Sequence, residues 1–326
     1  MTSLISNNKL LQKDPFKSII GLQETKDQIK SALLTKRHII LVGQPGIGKT
    51  TLAKSISKLL DDDYTINPLT GEKSETKLSG EERFVRVQGS PDLTAEDLIG
   101  DIDPIKAMKF GPLSIEAFTP GKIFKAHKGI LFFDEVNRCS EKLQNALLQV
   151  LEEGIVTIGS YTIDVPTDFI FIGTMNPEDT STEPLSHVFL DRFDLVYADY
   201  PDNTKDEQEI IEKHAKKLDN VEISKKLTKL IVQFIRNLRM NPNLARKPSV
   251  RATIGLYERA QANSLVDSRN IVTFDDMQMA VISVLSHRIE LKPSLKFLQK
   301  PEEFIKSEFE KFADKFSSDE EEGEYP

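Results

Sequence analysis

The chain has 326 residues, 39% of them apolar and 29% charged, with a formal net charge of -8 and one cysteine. At ~100–200 residues per domain, this length suits two globular domains. No apolar run approaches the ~18 residues of a membrane helix, so membrane insertion is not expected, and the acidity argues against bulk nucleic-acid binding.

Residues 1–15 read as a flexible lead-in, without the basic-then-apolar pattern of a secretory signal. From 16 to 199 short apolar runs alternate with helical patterns. The runs at 39–42, 130–133 and 169–172 fit strands buried on both faces of a parallel sheet. Leu52, Ile56, Leu59 and Leu60 share one helix face. Leu143, Leu147, Val150 and Leu151 share another, with Gly154 as its stop. Residues 61–82 are polar and turn-rich and read as a surface insertion. Residues 156–163 read as a hairpin with Gly159-Ser160 at its tip. Strand signals cease after Tyr200-Pro201. Leu227, Leu230, Ile231, Phe234, Ile235 and Leu238 form a helical stripe ending at Asn241-Pro242. Met277, Val281, Val284 and Leu285 form another, opened by Thr273 and Asp276 as a capping box. The expectation is an α/β domain at 16–199, a smaller all-helical lid at 200–290, and a last helix with an acidic tail at 291–326. Ile305, Phe309, Phe312 and Phe316 mark that helix, and a solvated end follows it.

The strongest motif is Gly43-Gln44-Pro45-Gly46-Ile47-Gly48-Lys49-Thr50, a complete G-x-x-x-x-G-K-[ST] between a predicted strand and a predicted helix. Its glycines let backbone N–H groups face phosphates without Cβ clashes, and the helix start favours an anion. Lys49 can reach the β- and γ-phosphates of ATP, and the Thr50 hydroxyl can ligate Mg2+. Thr51 completes the nucleotide-binding stretch. Downstream, the apolar run 130–133 ends in Asp134-Glu135. Asp134 suits Mg2+, and Glu135 suits activation of the attacking water.

These motifs, in this order, resemble the AAA+ ATPases over residues 16–289. Within them the chain is similar to the helix-2-insert group that includes MoxR-like proteins and the magnesium chelatase I subunit. Gln88-Gly89-Ser90-Pro91-Asp92-Leu93, Pro120-Gly121-Lys122-Ile123-Phe124, Asp134-Glu135-Val136-Asn137-Arg138, Thr174-Met175-Asn176-Pro177, Leu190-Asp191-Arg192-Phe193 and Val284-Leu285-Ser286-His287-Arg288 carry the resemblance. The implied fold is a P-loop NTPase sheet flanked by helices with a helical lid. The resemblance implies that Asn176 is sensor 1, that Arg192 is an arginine finger reaching a neighbouring subunit's nucleotide, and that Arg251 is sensor 2 in the lid. A surface pairing of Arg192 with Asp191 or Asp194 is the plain alternative. The insertion 102–119 reads as a hairpin of this group.

The resemblance further implies a cytoplasmic homo-oligomer, a hexameric ring, working on a partner protein, with a separate von Willebrand factor A domain protein alongside. A chelatase motor subunit and a nucleotide-gated switch with little turnover are the competing readings. A DNA motor is disfavoured by the absence of a basic cluster in either hairpin. The lone Cys139 excludes an internal disulfide framework and fits a reducing compartment. It is placed at a helix start, where a thiol pKa can fall, although a lone cysteine in such a place is most often inert. The histidines His38, His127, His187, His214 and His287 make no metal-ligand spacing with it or with one another.

Overall fold

The computed structural model describes residues 4–111, 114–158, 163–179 and 185–321. The chain divides into two compact units, residues 1–199 and 200–326.

The first unit runs α1 (Asn7–Gln12), α2 (Gln23–Leu34), β1 (His38–Val42), α3 (Lys49–Ser57), β2 (Phe84–Gln88), α4 (Ala95–Ile99), β3 (Gly100–Ile102), α5 (Pro104–Phe110) and β4 (Phe118–Pro120). It continues through α6 (Lys122–Lys125), β5 (Ile130–Asp134), α7 (Glu141–Glu153), β6 (Ile155–Ile158), β7 (Ile163–Pro166), β8 (Ile170–Met175), α8 (His187–Leu190) and β9 (Phe193–Tyr197). Among the described residues, five strands form one parallel sheet in the order β2-β5-β8-β1-β9. Successive strand side chains point to opposite faces, so an unbroken apolar run can feed two cores at once. Ile40 and Val42 of β1 and Leu131 and Phe133 of β5 enter one core, which α7 closes with Leu143, Leu147 and Val150. Their neighbours Ile39, Leu41, Ile130 and Phe132 enter the opposite core, closed by Leu52 and Ile56 of α3 and by Ile29 and Leu33 of α2. Phe132 and Phe133 are fully buried, so truncating either to alanine removes on the order of 3–5 kcal/mol.

The first unit departs from the sequence reading at the lead-in and at the end of α3, and follows it at the two hairpins and the surface insertion. The lead-in carries a helix: Ser6 accepts from the Lys9 amide at 3.3 Å to cap α1, and Ile5, Leu10 and Phe16 are buried against the α2 side of the sheet. Three apolar residues scattered through a polar stretch leave too sparse a period to announce it. Residues 61–82 fold back on themselves through antiparallel bridges at Asp63–Leu78 and Ile66–Lys73, a backbone pairing that needs no apolar pattern. α3 ends at Ser57, and Leu59 and Leu60 stay buried in the turns that follow. In the insertion 102–119, β3 and β4 pair antiparallel, with α5 rising between them from an Asp103 cap. β6 and β7 form the second hairpin, and its tip, 159–162, lies outside the described residues.

The second unit holds α9 (Thr204–His214), α10 (Lys225–Met240), β10 (Leu244–Arg246), α11 (Val250–Val266), α12 (Phe274–Leu285), β11 (Glu290–Leu291), α13 (Pro293–Lys296) and α14 (Pro301–Glu321). Among its described residues it is helical apart from the short antiparallel β10–β11 pair and an isolated parallel bridge between Glu222 and Ile271. Its core gathers Ile231, Phe234 and Ile235 of α10, Leu256 of α11, Met277 and Val281 of α12, and Phe304, Ile305 and Phe309 of α14. The helix that the sequence sets apart after Pro301 is therefore part of this core, its Phe309 ring set edge-on to Phe234 at 5.1 Å. α14 runs through Glu321, so the acidic run begins in a helix. The Phe316 side chain and residues 322–326 lie outside the description. The capping box of α12 is formed, the Thr273 amide donating to Asp276 at 2.8 Å. Among the described residues no helix is long and apolar enough to cross a membrane.

His38 opens β1 in a buried position, where its Nδ1 accepts the Phe171 amide at 3.1 Å. Burial, and then the neighbouring Arg37 charge, push its pKa from 6.5 down to about 4. Between those values only the unfolded chain takes up this proton, so the stabilisation is complete above pH 6.5 and is lost as pH falls toward 4. We predict that denaturant midpoints of the wild type fall across that window, by about 3 kcal/mol of stability at its lower end. His38→Asn, which keeps an acceptor but cannot titrate, should show a flatter profile.

Candidate active site

The sheet register assembles the site. β1 and β8 pair Val42 with Met175, β5 and β8 pair Phe133 with Gly173, and β2 and β5 pair Gln88 with Asp134. The carboxyl ends of four neighbouring strands therefore lie side by side, where open α/β sheets bind ligands.

From the end of β1 the chain enters the glycine-rich loop. The Gly43 amide donates to Met175 O at 3.1 Å. A Cβ on Gly43 would stand 2.2 Å from Ala198 O, so no larger residue fits there. Gly46 and Gly48 have φ of 80° and 99°, values that L side chains resist. Gly48 is the N-cap of α3 and brings no side chain to it, which leaves the first-turn N–H groups to an anion. Lys49 Nζ lies over the loop, donating to Gly43 O at 2.5 Å and Gln44 O at 2.9 Å. Thr50 and Thr51 occupy the same first turn.

The two carboxylates are held from two sides. Asp134 Oδ1 accepts the Thr174 hydroxyl at 2.7 Å, and its Oδ2 pairs with Arg86 at 2.6 Å. Glu135 has left the strand: its φ of 58° is left-handed, and its amide donates to the same Thr174 Oγ1 at 2.9 Å. Such a conformation in a non-glycine residue costs of order 1–3 kcal/mol and persists where its surroundings enforce it. Gly89 leaves room for it, since a Cβ at that position would lie 2.1 Å from Glu135 O, and the Thr174 hydroxyl holds its amide. Gln88 Nε2 donates to Glu135 Oε2 at 2.9 Å, and Arg138 stands 3.3 Å from the same oxygen.

Asn176 follows β8 directly. Its Oδ1 accepts the Glu178 amide at 3.3 Å, and its carbonyl accepts from Asn137 at 3.4 Å. Arg138 grips Asp179 at 2.8 Å, fastening the turn after β8 to the turn after β5. The structure thus brings the loop 43–51, Asp134, Glu135 and Asn176 to one sheet edge.

It does not bring Arg192 there. That residue precedes β9, whose first residue Phe193 pairs with His38, the first of β1, so Arg192 lies at the opposite edge. Of the two surface pairings that the sequence suggested for it, the one with Asp191 is present and the one with Asp194 is not. Its main partner is Glu152 at 2.6 Å, with Asp191 at 4.0 Å, and Asp194 is taken by Arg37 at 3.1 Å. Arg251 is the second residue of α11 in the other unit and is exposed.

Gln88 and Thr174 lie in stretches that carry the resemblance but were given no role there, and Arg86 lies outside every motif. A trace of them exists in the pattern: Arg86 and Gln88 alternate with apolar residues on β2, and Thr174 is a fully buried polar residue in an apolar strand. Cys139 stands between the short turn 136–138 and Ser140, the N-cap of α7, a helix start as the sequence suggests, but burial pushes its thiol up to about 11 rather than down.

The residues fit a Mg2+–nucleotide: an ammonium and first-turn amides suit phosphate oxygens, and the Thr50 hydroxyl with the Asp134 carboxylate gives oxygen donors to a hard cation. Residues 38–193 match the family model of the AAA domain, dynein-related subfamily, and residues 237–308 match the AAA lid domain. YeaC, an uncharacterised protein of Bacillus subtilis (strain 168), is 30% identical over 86% of this chain and 85% of its own length. The chain belongs to the AAA+ ATPases, in their MoxR-like branch. Two other relatives of this ATPase frame that placement. A magnesium-chelatase subunit ChlI homolog of Methanocaldococcus jannaschii is 29% identical over 86% of each chain. The chaperone MoxR1 of Mycobacterium tuberculosis is 25% identical over 84% of this chain and 73% of its own. In fold, the ATPase resembles the Thermotoga maritima RuvB Holliday junction branch migration motor, with a TM-score of 0.51 at 20% identity over 85% of this chain and 74% of that one.

Two outcomes follow from this geometry. Gln88→Ala frees Glu135 from its donor on β2 and should lower kcat about tenfold, the rate equivalent of ~1.4 kcal/mol, with KM for ATP little changed. Cys139 should resist a neutral-pH thiol reagent in the native protein and react fully once the chain is denatured.

Proposed function

We propose that this ATPase is a ring-forming motor of MoxR type that remodels a partner protein in the cytoplasm. ATP binds on the loop 43–51, with Lys49 on its β- and γ-phosphates and Arg251 reading the γ-phosphate from the lid. Thr50 and Asp134 would hold Mg2+, which when bound would neutralise charge along the phosphates. Glu135 takes a proton from the attacking water while Asn176 orients that water. The new bond forms between the water oxygen and the γ-phosphorus, and the bond from that phosphorus to the β–γ bridging oxygen breaks. Arg192 of a neighbouring subunit neutralises the charge that develops on the transferred group.

The observation that carries the reading is the division of the machinery between two edges of one sheet. Lys49, Asp134, Glu135 and Asn176 gather at the carboxyl edge, and Arg192 stands at the other. An arginine unable to serve its own site supports an oligomer in which it serves the next, and the resemblance makes that oligomer a hexamer. A separate von Willebrand factor A domain protein is the partner that the same resemblance implies. A second reading, the motor subunit of a metal chelatase, is supported by relatives named as magnesium-chelatase subunits at similar identity. A bare nucleotide switch is disfavoured, because it has no use for Glu135 and Asn176 held beside the phosphate loop.

The test is subunit mixing with size analysis in ATP. Arg192→Ala and Glu135→Gln should each lower turnover by about a thousandfold while still binding nucleotide and forming the ring. Mixing the two should restore part of the activity. Wild-type turnover by Arg192→Ala, or a protein that stays monomeric with ATP, would contradict the ring reading.

A further inference from the structure

The second unit buries an ion pair whose placement bears on Arg251. Glu207 of α9 is fully buried, and Arg239 of α10 is 6% exposed. The guanidinium meets the carboxylate with both terminal nitrogens, at 2.8 and 2.7 Å. Two further groups of the network bracket Arg251 in sequence. Arg239 Nε donates to Pro248 O at 2.8 Å, and the Thr253 hydroxyl donates to Glu207 Oε1 at 2.6 Å. The N-cap of α11, Ser249, makes no side-chain cap bond, so the start of this helix is located by the ion pair rather than by a cap of its own.

The same network holds the segment by which the chain enters this unit. The Arg239 guanidinium lies 4.4 Å from the centroid of the Tyr200 ring. Arg236 donates to Pro201 O at 2.8 Å and Asp202 O at 2.9 Å, and stands 3.8 Å from Glu207. A buried pair of this kind is a poor source of stability, because apolar residues of equal volume often do as well. What a two-pronged guanidinium–carboxylate contact supplies is direction.

We propose that Glu207 and Arg239 are positioning residues for Arg251: they lock the entry segment 200–202 and the first turn of α11 to one buried carboxylate, and so fix the orientation in which Arg251 meets the γ-phosphate of ATP. The proposal rests on the reading of Arg251 as the lid's contact to that phosphate. Arg251 needs such a device because its own side chain is long and exposed, and a displacement of ~1 Å in a positioning group can cost up to about a hundredfold in rate.

The experiment titrates the full-length protein with fluorescent ATP and ADP analogues and takes the ratio of the two affinities, with thermal melting to verify folding. Arg251→Ala should lower the preference for the triphosphate about tenfold, the scale of a lost charge-assisted contact. Thr253→Val removes the hydroxyl's bonds to Glu207 and from Arg239 and leaves the ion pair, so it keeps the test open if Glu207→Gln fails to fold. It should lower the same preference about threefold, and Thr253→Ser should restore it. Neither Thr253→Val nor Glu207→Gln should lower it further once residue 251 is alanine. Folded Glu207→Gln and Thr253→Val variants with an unchanged preference, or with losses that add fully to that of Arg251→Ala, would overturn the positioning role. An unchanged preference in Arg251→Ala itself would instead overturn the reading of Arg251, and the proposal with it.

Discussion

The parallel hydrogen-bond ladder that joins β1, β8 and β5 governs the rest of the molecule. It aligns Val42 with Met175 and Phe133 with Gly173, so the residues that follow each strand emerge at one edge. Parallel pairing requires a crossover outside the sheet between neighbours, which places helices on both faces. The strands must then be apolar on both faces, and the sequence supplies residues 39–42 and 130–133 accordingly. A loop that turns toward phosphate, a pair of carboxylates and an amide side chain thus come together without needing to be close in sequence.

The ladder brings the elements near one another, and a few close approaches fix their conformation. Gly43 lies against Ala198 O and Gly89 against Glu135 O, each at a distance that excludes any Cβ. The second contact makes room for the left-handed turn at Glu135, which carries its carboxylate off the strand's alternation to the amide of Gln88. Thr174 serves both acidic residues with one hydroxyl, donating to the Asp134 carboxylate and accepting the Glu135 amide. A slip of one residue in β8 would turn this hydroxyl to the opposite face, so register and site chemistry are a single constraint.

What could be read from the sequence was whatever rests on local pattern. The phosphate loop needs its glycines at fixed intervals, and the strand before Asp134 needs a continuous apolar run, so both are visible as strings. The lid helix 225–240 shows its apolar stripe in the same way. What escaped depends on contacts between distant segments. Arg86 and Gln88 look like the solvent face of an edge strand until β5 is laid beside them. α1 is too short and polar to show a period, and it is fixed by burial of Ile5 and Leu10. Cys139 stands at a helix start, as its position suggests, but its burial, which raises the thiol pKa, comes from packing that the local string does not show. The Glu207–Arg239 pair was invisible for the same reason: charged residues on two amphipathic helices read as solvated until the helices pack.

On the proposed mechanism the carboxylate of Glu135, held at the sheet edge beside the phosphate loop, performs the chemical step rather than the binding step. Single-turnover hydrolysis of prebound ATP by the wild type and by Glu135→Gln, with ATP affinity measured on the same samples, separates the two. Affinity should be unchanged and the chemical step slowed by about 10²–10⁴-fold, the range for loss of a general base. A Glu135→Gln protein that hydrolyses bound ATP at the wild-type rate would contradict that mechanism.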